Sequence, residues 1–291
     1  MKIVTFEKDG VSQGGAIIND RVYSLAELGL PGTVSELLKL EDAGMAQLKS
    51  AAPSGAGLAI EDVKFLAAVP AQPALFLLAG NYQSHLTEGG GNAVNKAEIT
   101  PRVFMKPNTA IIGPGDAIAI PTVSDMVDYE LEIAAVIGKR CKHVPVESAY
   151  DVVAGYVVFN DVSARELNTV SHRKTRPMDD FFDWLIGKWC DSFAAIGPYL
   201  VTRDEVPDPV ELEMSLTVNG ELRQHSSAGD ILFTVPEAIA YLSQFVTLEP
   251  GSLICMGTPG GVGHTTMTFL KPGDVVVAEI EKLGRLENTV A

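Results

Sequence analysis

Two glutamates separated by one residue are the side chains of this sequence best suited to chemistry. Glu130 and Glu132 lie in a stretch, 127–138, that first alternates and then becomes wholly apolar, as in a β-strand. Successive strand side chains point to opposite faces, so both carboxylates share one face, about 6–7 Å apart, while Leu131 and Ile133 share the other. Burying two like charges is costly unless a proton or a cation compensates, and divalent ions prefer oxygen ligands. The stretch is therefore predicted to hold a metal ion.

A third carboxylate, Asp161, follows the apolar stretch 155–159. Its position at the end of a predicted strand allows two interpretations. Asp161 either joins the two glutamates as a ligand or lies at the entry of a helix, where aspartate is a common cap. Ser163 and Glu166 have the spacing of a capping box, which predicts that a helix begins there.

A histidine and a glutamate could together supply a base. His85 and Glu88 are three residues apart, so in a helical turn they face each other. The carboxylate could then hold one imidazole nitrogen while the other takes a proton. Such pairs are also common on solvated helix surfaces. Three glycines, 89–91, follow directly and permit a hinge, so the pair is predicted to move on a lid.

Two further polar residues lie in segments that contain glycine. Lys188 follows Gly187 and could neutralise an oxyanion or hold a carboxylate, the ordinary alternative being a solvated lysine. In the glycine-rich stretch 257–263, backbone amides near Gly257 and the Thr258 hydroxyl could receive a substrate carboxylate. The stretch lacks the Gly-Lys-Ser/Thr of a nucleotide-binding loop and no helical pattern follows it, so ATP binding is not expected.

Strands are the main elements that must position these residues. The stretch 212–225 is the clearest hairpin, with Asn219-Gly220 as a type I′ turn, and 33–40 is predicted to be a helix. Residues 172–184 are charged and then aromatic, which is typical of a surface loop that covers an apolar region. Three Pro-Gly turns, each followed by an apolar strand, fit type II geometry. Apolar runs predict strands at 1–6, 15–18, 22–24, 75–79, 103–107, 117–120, 155–159, 253–256 and 275–280.

Composition and charge exclude several classes of partner. The chain has 291 residues, 46% of them hydrophobic, and a formal net charge of −15, with no block of Lys and Arg. Neither a nucleic acid nor an anionic membrane is expected as a partner, and a small anionic substrate would need local positive charge. No apolar run approaches the length of a membrane span, and the first residues lack the pattern of a signal peptide, which predicts a cytoplasmic protein. The three cysteines are widely spaced, as in a reducing compartment.

Taken together, the motifs resemble one family, the fumarylacetoacetate hydrolase superfamily. The resemblance runs from about residue 70 to the end of the chain, with the motifs in the family's order. Any one motif is weak evidence, but seven in sequence are strong. They are Asn81-Tyr82-x-x-His85-x-x-Glu88, Phe104-x-Lys106-Pro107, Gly113-Pro114-Gly115-Asp116, Asp128-Tyr129-Glu130-x-Glu132, Gly155-Tyr156 through Asn160-Asp161-Val162-Ser163-Ala164-Arg165, Gly187-Lys188-x-x-Asp191-x-Phe193 with Gly197-Pro198, and Gly257-Thr258-Pro259-x-Gly261-Val262-Gly263.

The resemblance implies a fold, an assembly and a cofactor. The fold class would be α+β and β-rich, a mixed β-sandwich roll (residues 71–291) with a small N-terminal α/β domain (residues 1–70), in a protein that is usually a homodimer. Glu130, Glu132 and Asp161 would bind Mg²⁺ or Mn²⁺, with Ca²⁺ as a substitute in crystals. This implication favours the ligand interpretation of Asp161 over the cap.

It also implies roles for the remaining residues. His85, oriented by Glu88, would activate water, Lys188 would support an oxyanion or enolate, and Thr258 would hold a carboxylate. The substrate-binding set would be Tyr82, Arg165, Asn168 and Thr258. Many relatives have Gln where this chain has Asn168, which puts a hydrogen bond to the substrate in doubt.

The implied reaction is hydrolysis of a C–C bond in a 2,4-diketo acid or acylpyruvate through a metal-chelated enolate. Decarboxylation, isomerisation or lyase chemistry on a 2-oxo acid is the alternative, since all pass through a chelated enolate. A glycosidase is disfavoured because Glu130 and Glu132 face the same side, whereas glycosidase carboxylates flank a bond. A non-catalytic binder of small acids stays open, and substitution of His85 would distinguish it from an enzyme.

Overall fold

Strands make up most of the regular structure in the computed structural model, which describes residues 1–53, 55–170 and 172–291. Within these ranges no helix is both long enough and apolar enough to cross a membrane. The helices are α1 Val34–Lys39, α2 Glu41–Ser50, α3 Gln83–Thr87, α4 Asp179–Ile186, α5 Val235–Phe245 and α6 Gly263–Thr266. The strands are β1 Lys2–Lys8, β2 Val11–Ile18, β3 Arg21–Ser24, β4 Leu58–Ala59, β5 Lys64–Phe65, β6 Leu75–Ala79, β7 Arg102–Met105, β8 Ile111–Ile112, β9 Ala117–Ile118, β10 Val127–Asp128, β11 Leu131–Ile137, β12 Val153–Asp161, β13 Ser163–Ala164, β14 Ala194–Thr202, β15 Glu213–Val218, β16 Glu221–Ser227, β17 Leu253–Cys255, β18 Val275–Ile280 and β19 Gly284–Val290.

Two mixed sheets carry the fold. The larger has the strand order β4-β3-β2-β1-β14-β12-β11-β17-β6-β7, with β5 added to β1 and β8 added to β14. The smaller has the order β16-β15-β18-β19-β9. Because β1 pairs with β14, the N-terminal strands share a sheet with the rest of the chain. The β-rich α+β class is confirmed, while a domain boundary at residue 70 stays a prediction.

Strand β11 lies between two hydrophobic cores. Leu131 and Ile133 pack in a cluster with residues of the smaller sheet and α5, whereas Ala134 and Val136 pack in a second cluster with α1 and α2. The alternation follows from the two-residue period of a strand, and burial of both faces explains why β11 is wholly apolar after Glu132. The prediction of a strand in this stretch is confirmed, although its N-terminal part is a separate short strand, β10.

Local turn and capping chemistry agrees with the sequence at two points. The β15–β16 hairpin turns at Asn219 and Gly220, whose φ values of 52° and 78° are those of a type I′ turn. Helix α1 begins after Thr33, whose hydroxyl accepts a hydrogen bond from the Glu36 backbone N–H at 3.2 Å.

Three local predictions are wrong. No helix begins at Ser163, because its hydroxyl proton is shared between the Asp161 carbonyl (2.9 Å) and Glu130 Oε1 (3.2 Å) instead of the hydroxyl capping, and the chain continues as β13. The aromatic end of 172–184 is not loop but helix α4, whose Trp184 packs edge-on against Phe104. The glycine stretch 257–263 is followed by the short helix α6.

Candidate active site

The residues with predicted chemistry converge at one end of the larger sheet. Leu131 pairs with Asn160 across the antiparallel β11–β12 ladder, so Glu130 lies directly opposite Asp161. The Asp161 backbone N–H donates to the Glu130 carbonyl at 2.8 Å. Directly opposed residues of an antiparallel pair share a face, and Glu132, two residues along, shares it too. The pairing register therefore brings Asp161 to two glutamates that lie 31 and 29 residues earlier in the sequence.

Glu130, Glu132 and Asp161 have the geometry of a metal-ligand set. One carboxylate oxygen from each residue lies within 4.8 Å of the others, and all three side chains are buried. Three carboxylates are a donor set suited to Mg²⁺, Mn²⁺ or Ca²⁺.

Two buried lysines and a partly buried arginine surround this cluster. Lys188 Nζ lies 2.7 Å from Asp161 Oδ2 and 3.0 Å from Glu130 Oε1. Lys106 Nζ lies 2.6 Å from Asp161 Oδ1 and donates to the carbonyls of Val162 and Phe193. Arg165 Nη2 lies 2.6 Å from Glu130 Oε1. Two of the three carboxylates are thus paired with basic side chains, so an ion at this centre would share them with Lys106, Arg165 and Lys188.

The cations decide the protonation of the groups that they contact. Burial by itself would raise the pKa of Glu130, but Lys188, Arg165 and His85 outweigh it and lower that pKa to about 2. Burial would lower the pKa of Lys188, and the charges of Asp161 and Glu130 outweigh it, so that pKa is raised. For Lys106, the lowering of the pKa by burial outweighs the raising by the charge of Asp161, so the pKa is lowered.

Glu132 is the carboxylate of the cluster that lacks a cationic partner. In the described ranges its recorded hydrogen bond comes from the Gly257 backbone N–H to Oε2 (2.9 Å), and no Lys, Arg or His lies within ion-pair distance. Burial, Asp161 and Glu130 raise the pKa of Glu132 well above its usual value. Neither Glu132 Oε1 nor Glu130 Oε2 has a recorded partner in the part of the chain described. A divalent ion fits this centre because it would supply the positive charge that no basic side chain provides to Glu132.

Asp128, which the sequence did not single out for a role, ties the cluster to the glycine loop. It is fully buried and accepts hydrogen bonds from the backbone N–H groups of Gly263 (2.6 Å) and His264 (2.9 Å), at the start of α6. Its Oδ2 also accepts from Arg165 Nε at 2.7 Å. Asp128 therefore sets the position of the arginine that contacts Glu130.

His85 and Glu88 form a dyad that is docked on the glycine loop. His85 Nδ1 contacts Glu88 Oε1, and Glu88 Oε2 accepts from the Gly261 backbone N–H at 2.7 Å. Gly260 N–H donates to the Ser84 hydroxyl at 3.3 Å. Because Glu88 bridges the histidine and the loop, the dyad is held in one orientation. The same loop holds Glu132 through the Gly257 backbone N–H, so the dyad and the carboxylate cluster contact one glycine loop.

The residues predicted to bind substrate do not all lie near the carboxylate cluster. Thr258 is buried beside Gly257 and Arg165 contacts the cluster, as described above. The Tyr82 side chain is buried in the core, and its hydroxyl donates to Met214 Sδ at 3.3 Å. Asn168 is exposed and lies with Arg173 and Asp179 around a separate cavity, away from the carboxylates. The assignment of Tyr82 to substrate binding is not supported by this placement.

Two backbone amides of the predicted carboxylate pocket have partners within the protein. The Gly257 and Gly261 amides donate to Glu132 and Glu88, so these two amides hold protein carboxylates instead of a ligand. The Thr258 hydroxyl keeps the predicted position, and its partner is Gln224, which the sequence did not indicate. Lys106 belongs to the motif Phe104-x-Lys106-Pro107, at the end of a predicted strand. That position could have identified it as a residue of the site. Gln224 carried no such signal, since it lies in a polar hairpin strand.

Comparisons with known proteins agree with the geometry. The family model described as "Fumarylacetoacetate (FAA) hydrolase C-terminal" matches residues 74–291. The mitochondrial oxaloacetate tautomerase FAHD2B of Bos taurus is 39% identical over 280 residues, covering 95% of this chain and 84% of that protein.

Two solved structures show that the whole chain has this fold. A 5-carboxymethyl-2-hydroxymuconate delta-isomerase from Mycobacterium smegmatis is 29% identical with a TM-score of 0.77. A maleylpyruvate hydrolase from Sphingobium sp. SYK-6, in complex with manganese (II) ion and pyruvate, is 28% identical with a TM-score of 0.76. Each comparison covers 100% of this chain and 99% of the other. Proteins similar to this chain are therefore named for tautomerase, isomerase and hydrolase reactions.

Proposed function

This chain belongs to the fumarylacetoacetate hydrolase family, and from that premise we propose that it is a divalent-metal-dependent enzyme acting on a small 2-oxo acid through the enol form. Interconversion of the keto and enol forms of an oxaloacetate-type acid is the first candidate reaction. The relative that covers 95% of this chain and bears the name of an oxaloacetate tautomerase supports it. Hydrolysis of a C–C bond is the second candidate.

The observation that carries the proposal is the His85–Glu88 dyad, docked through Gly261 on the glycine loop whose Gly257 N–H also holds Glu132 of the three-carboxylate cluster. With Nδ1 against Glu88, the other imidazole nitrogen, Nε2, is free to take a proton. The contact of Glu88 with Gly261 N–H fixes the direction in which that nitrogen points. A base beside a site that stabilises negative charge is what removal of a proton next to a carbonyl needs.

Each residue has a defined part in this proposed reaction. His85 Nε2 takes a proton from the carbon next to the 2-oxo group, breaking a C–H bond, and returns it to the oxygen, forming the O–H bond of the enol. Lys188 Nζ, held between Glu130 and Asp161, donates a hydrogen bond to that oxygen while it carries negative charge. The Thr258 hydroxyl donates to the substrate carboxylate. When bound by Glu130, Glu132 and Asp161, a divalent ion supplies Lewis-acid stabilisation of charge on the oxo-acid oxygens.

C–C hydrolysis uses the same dyad in a different way. The structural relative that is a maleylpyruvate hydrolase favours this second reaction. His85 would then take a proton from a water molecule, whose oxygen bonds to the distal carbonyl carbon of a diketo acid. The C–C bond to that carbonyl breaks, and its electrons stay with the oxo-acid fragment as an enolate, which is then protonated.

A substrate panel separates the two reactions. The purified protein is assayed with oxaloacetate, acylpyruvates and other 2,4-diketo acids, with Mg²⁺, Mn²⁺ or chelator. Keto–enol interconversion is followed by ultraviolet absorbance and NMR, and cleavage by product analysis. Accelerated tautomerisation without new carbon fragments supports the first candidate, and release of pyruvate with a second acid supports the second. If no 2-oxo acid is turned over with either metal, the proposal is wrong.

Metal binding is expected to raise the melting temperature. An ion that binds only the folded state at 100 times its Kd stabilises by about 2.7 kcal/mol, which corresponds to a rise of about 5 °C in a chain of this size. The measurement is thermal unfolding in chelator and in Mg²⁺ or Mn²⁺.

Glu132→Gln is the matched control for this measurement. The glutamine resembles a protonated Glu132 and keeps an acceptor for Gly257 N–H. The melting temperature of the metal-free variant should be no lower than that of the metal-free wild type. The rise in melting temperature on addition of metal should be lost. An equal response to metal in wild type and variant would contradict the assignment of Glu132 as a ligand.

Three further expectations stand as proposals. The substrate is proposed to be a small anion, the assembly a homodimer and the compartment the cytoplasm. Sedimentation of the purified chain tests the assembly, and cell fractionation tests the compartment.

A further inference from the structure

We propose that Gln224 is a positioning residue that makes the Thr258 hydroxyl a dedicated hydrogen-bond donor for the substrate carboxylate. This inference rests on the proposed function. Gln224 lies on β16, in the hairpin of the smaller sheet, and its side chain is completely buried. It contacts both the strand that carries the glutamates and the glycine loop.

Two backbone partners fix the orientation of the Gln224 amide. The Leu131 backbone N–H donates to Oε1 at 2.9 Å, and Nε2 donates to the Pro259 carbonyl at 3.0 Å. A backbone N–H can only donate and a carbonyl can only accept. Rotating the amide by 180° would place two donors together at Leu131 and two acceptors together at Pro259, so only one orientation satisfies both.

That orientation decides what the Thr258 hydroxyl does. The second hydrogen on Nε2 points to Thr258 Oγ1, which lies 2.8 Å away and must accept it. The hydroxyl's own proton is then left to donate elsewhere. In the part of the chain that the structure describes, no acceptor is recorded for this proton. Thr258 directly follows Gly257, whose N–H holds Glu132, so the backbone that carries this hydroxyl adjoins the carboxylate cluster.

Gln224 also links the two parts of the site mechanically. Leu131, whose N–H it binds, lies between Glu130 and Glu132 on the chain, while Thr258 and Pro259 lie on the glycine loop. One side chain therefore spans from the ligand strand to the loop. Together with the Gly257 N–H bond to Glu132, this amide sets the distance between the carboxylates and the Thr258 hydroxyl, and so the fit of a carboxylate next to a 2-oxo group.

The test is the Gln224→Glu variant, which keeps an acceptor for Leu131 N–H and loses the amide donors to Thr258 and Pro259. Its second oxygen would accept the Thr258 proton and remove it from the substrate. A hydrogen bond to a charged group changes affinity by about 10- to 100-fold. We expect KM for the best 2-oxo acid to rise by that factor with a smaller loss of kcat. The Kd of oxalate, used as a probe with Mn²⁺ in calorimetry, should rise equally.

A double-mutant cycle separates positioning from a general structural effect. Thr258→Val should raise KM as much as Gln224→Glu does, and the double variant should be no worse than either, because both remove the same hydrogen bond. Thr258→Ser keeps the hydroxyl and should keep the wild-type KM. The control Gln244→Glu, on the exposed face of α5, should change nothing.

Each outcome has one meaning. If wild type neither binds oxalate nor turns over a 2-oxo acid, the proposed function fails and the role of Gln224 falls with it. If wild type is active and Gln224→Glu leaves KM and the oxalate Kd unchanged, or if the two substitutions are additive, the inference about Gln224 alone is overturned. Should Gln224→Glu not fold, Gln224→Asn, which is too short to reach both backbone partners, takes its place with the same expected cycle.

Discussion

Replacing Asp161 with asparagine is expected to abolish turnover and the stabilisation by metal. Asp161 pairs with two buried lysines, Lys106 at 2.6 Å and Lys188 at 2.7 Å, and provides one of the three carboxylates of the candidate metal centre. Removing one partner of a buried ion pair leaves uncompensated charge, which typically costs 3–5 kcal/mol, so we expect the free energy of unfolding to fall by about that amount. The measurements are denaturant unfolding, calorimetric titration with Mn²⁺ and the 2-oxo acid assay.

Asp125→Asn is the matched control, because Asp125 is exposed on the loop just before β10. It should keep wild-type stability, metal affinity and turnover. A fully active Asp161→Asn variant would show that the third carboxylate is not needed. An inactive variant with undiminished stability would show that its pairs with Lys106 and Lys188 contribute little to folding.

The second large effect is expected for His85→Gln. General acid–base catalysis by a positioned side chain contributes about 10²- to 10⁴-fold, and kcat should fall by that factor. Gln can fill the space of the imidazole but cannot take a proton at neutral pH. His85 lies on α3 and is not one of the three clustered residues, so metal affinity and melting temperature should stay close to wild type. Steady-state kinetics and metal titration of the same samples measure both quantities.

His225→Gln is the control for this prediction, since His225 is exposed on β16. A non-catalytic binder of small acids would keep its whole function in the His85→Gln variant, so an unchanged kcat would contradict the proposed enzyme. A parallel loss of metal affinity would instead indicate that His85 acts on the ligands and not on the substrate.

The charge of the site explains how an acidic protein could take an anionic substrate. The chain carries a formal net charge of −15. Around the candidate metal centre, without the His85–Glu88 dyad, four carboxylates face three cations, which leaves one negative charge when all are ionised, and a divalent ion would turn it into one positive charge. The groups counted are Asp128, Glu130, Glu132, Asp161, Lys106, Arg165 and Lys188. Attraction of a carboxylate substrate is thus proposed to depend on metal loading.

The sequence by itself determined the features that rest on local periodicity and turn chemistry. The two-residue alternation placed Glu130 and Glu132 on one face, Asn219-Gly220 specified the hairpin turn, and the three-residue spacing brought His85 to Glu88. These depend on residues a few positions apart, whose geometry is set by backbone dihedral angles and helix or strand period.

Tertiary structure alone decided which distant groups meet. The β11–β12 register settled Asp161 as a partner of Glu130 instead of a helix cap, and that register depends on pairing across 30 residues. Lys106 and Gln224 reach partners 56 and 34 residues away, and neither pairing has a periodic signal in the sequence. Packing also turned Tyr82 into the core, although its neighbour in the motif, His85, lies at the site. Local pattern specifies the face on which a side chain lies, whereas only the packing of strands and loops specifies what it contacts.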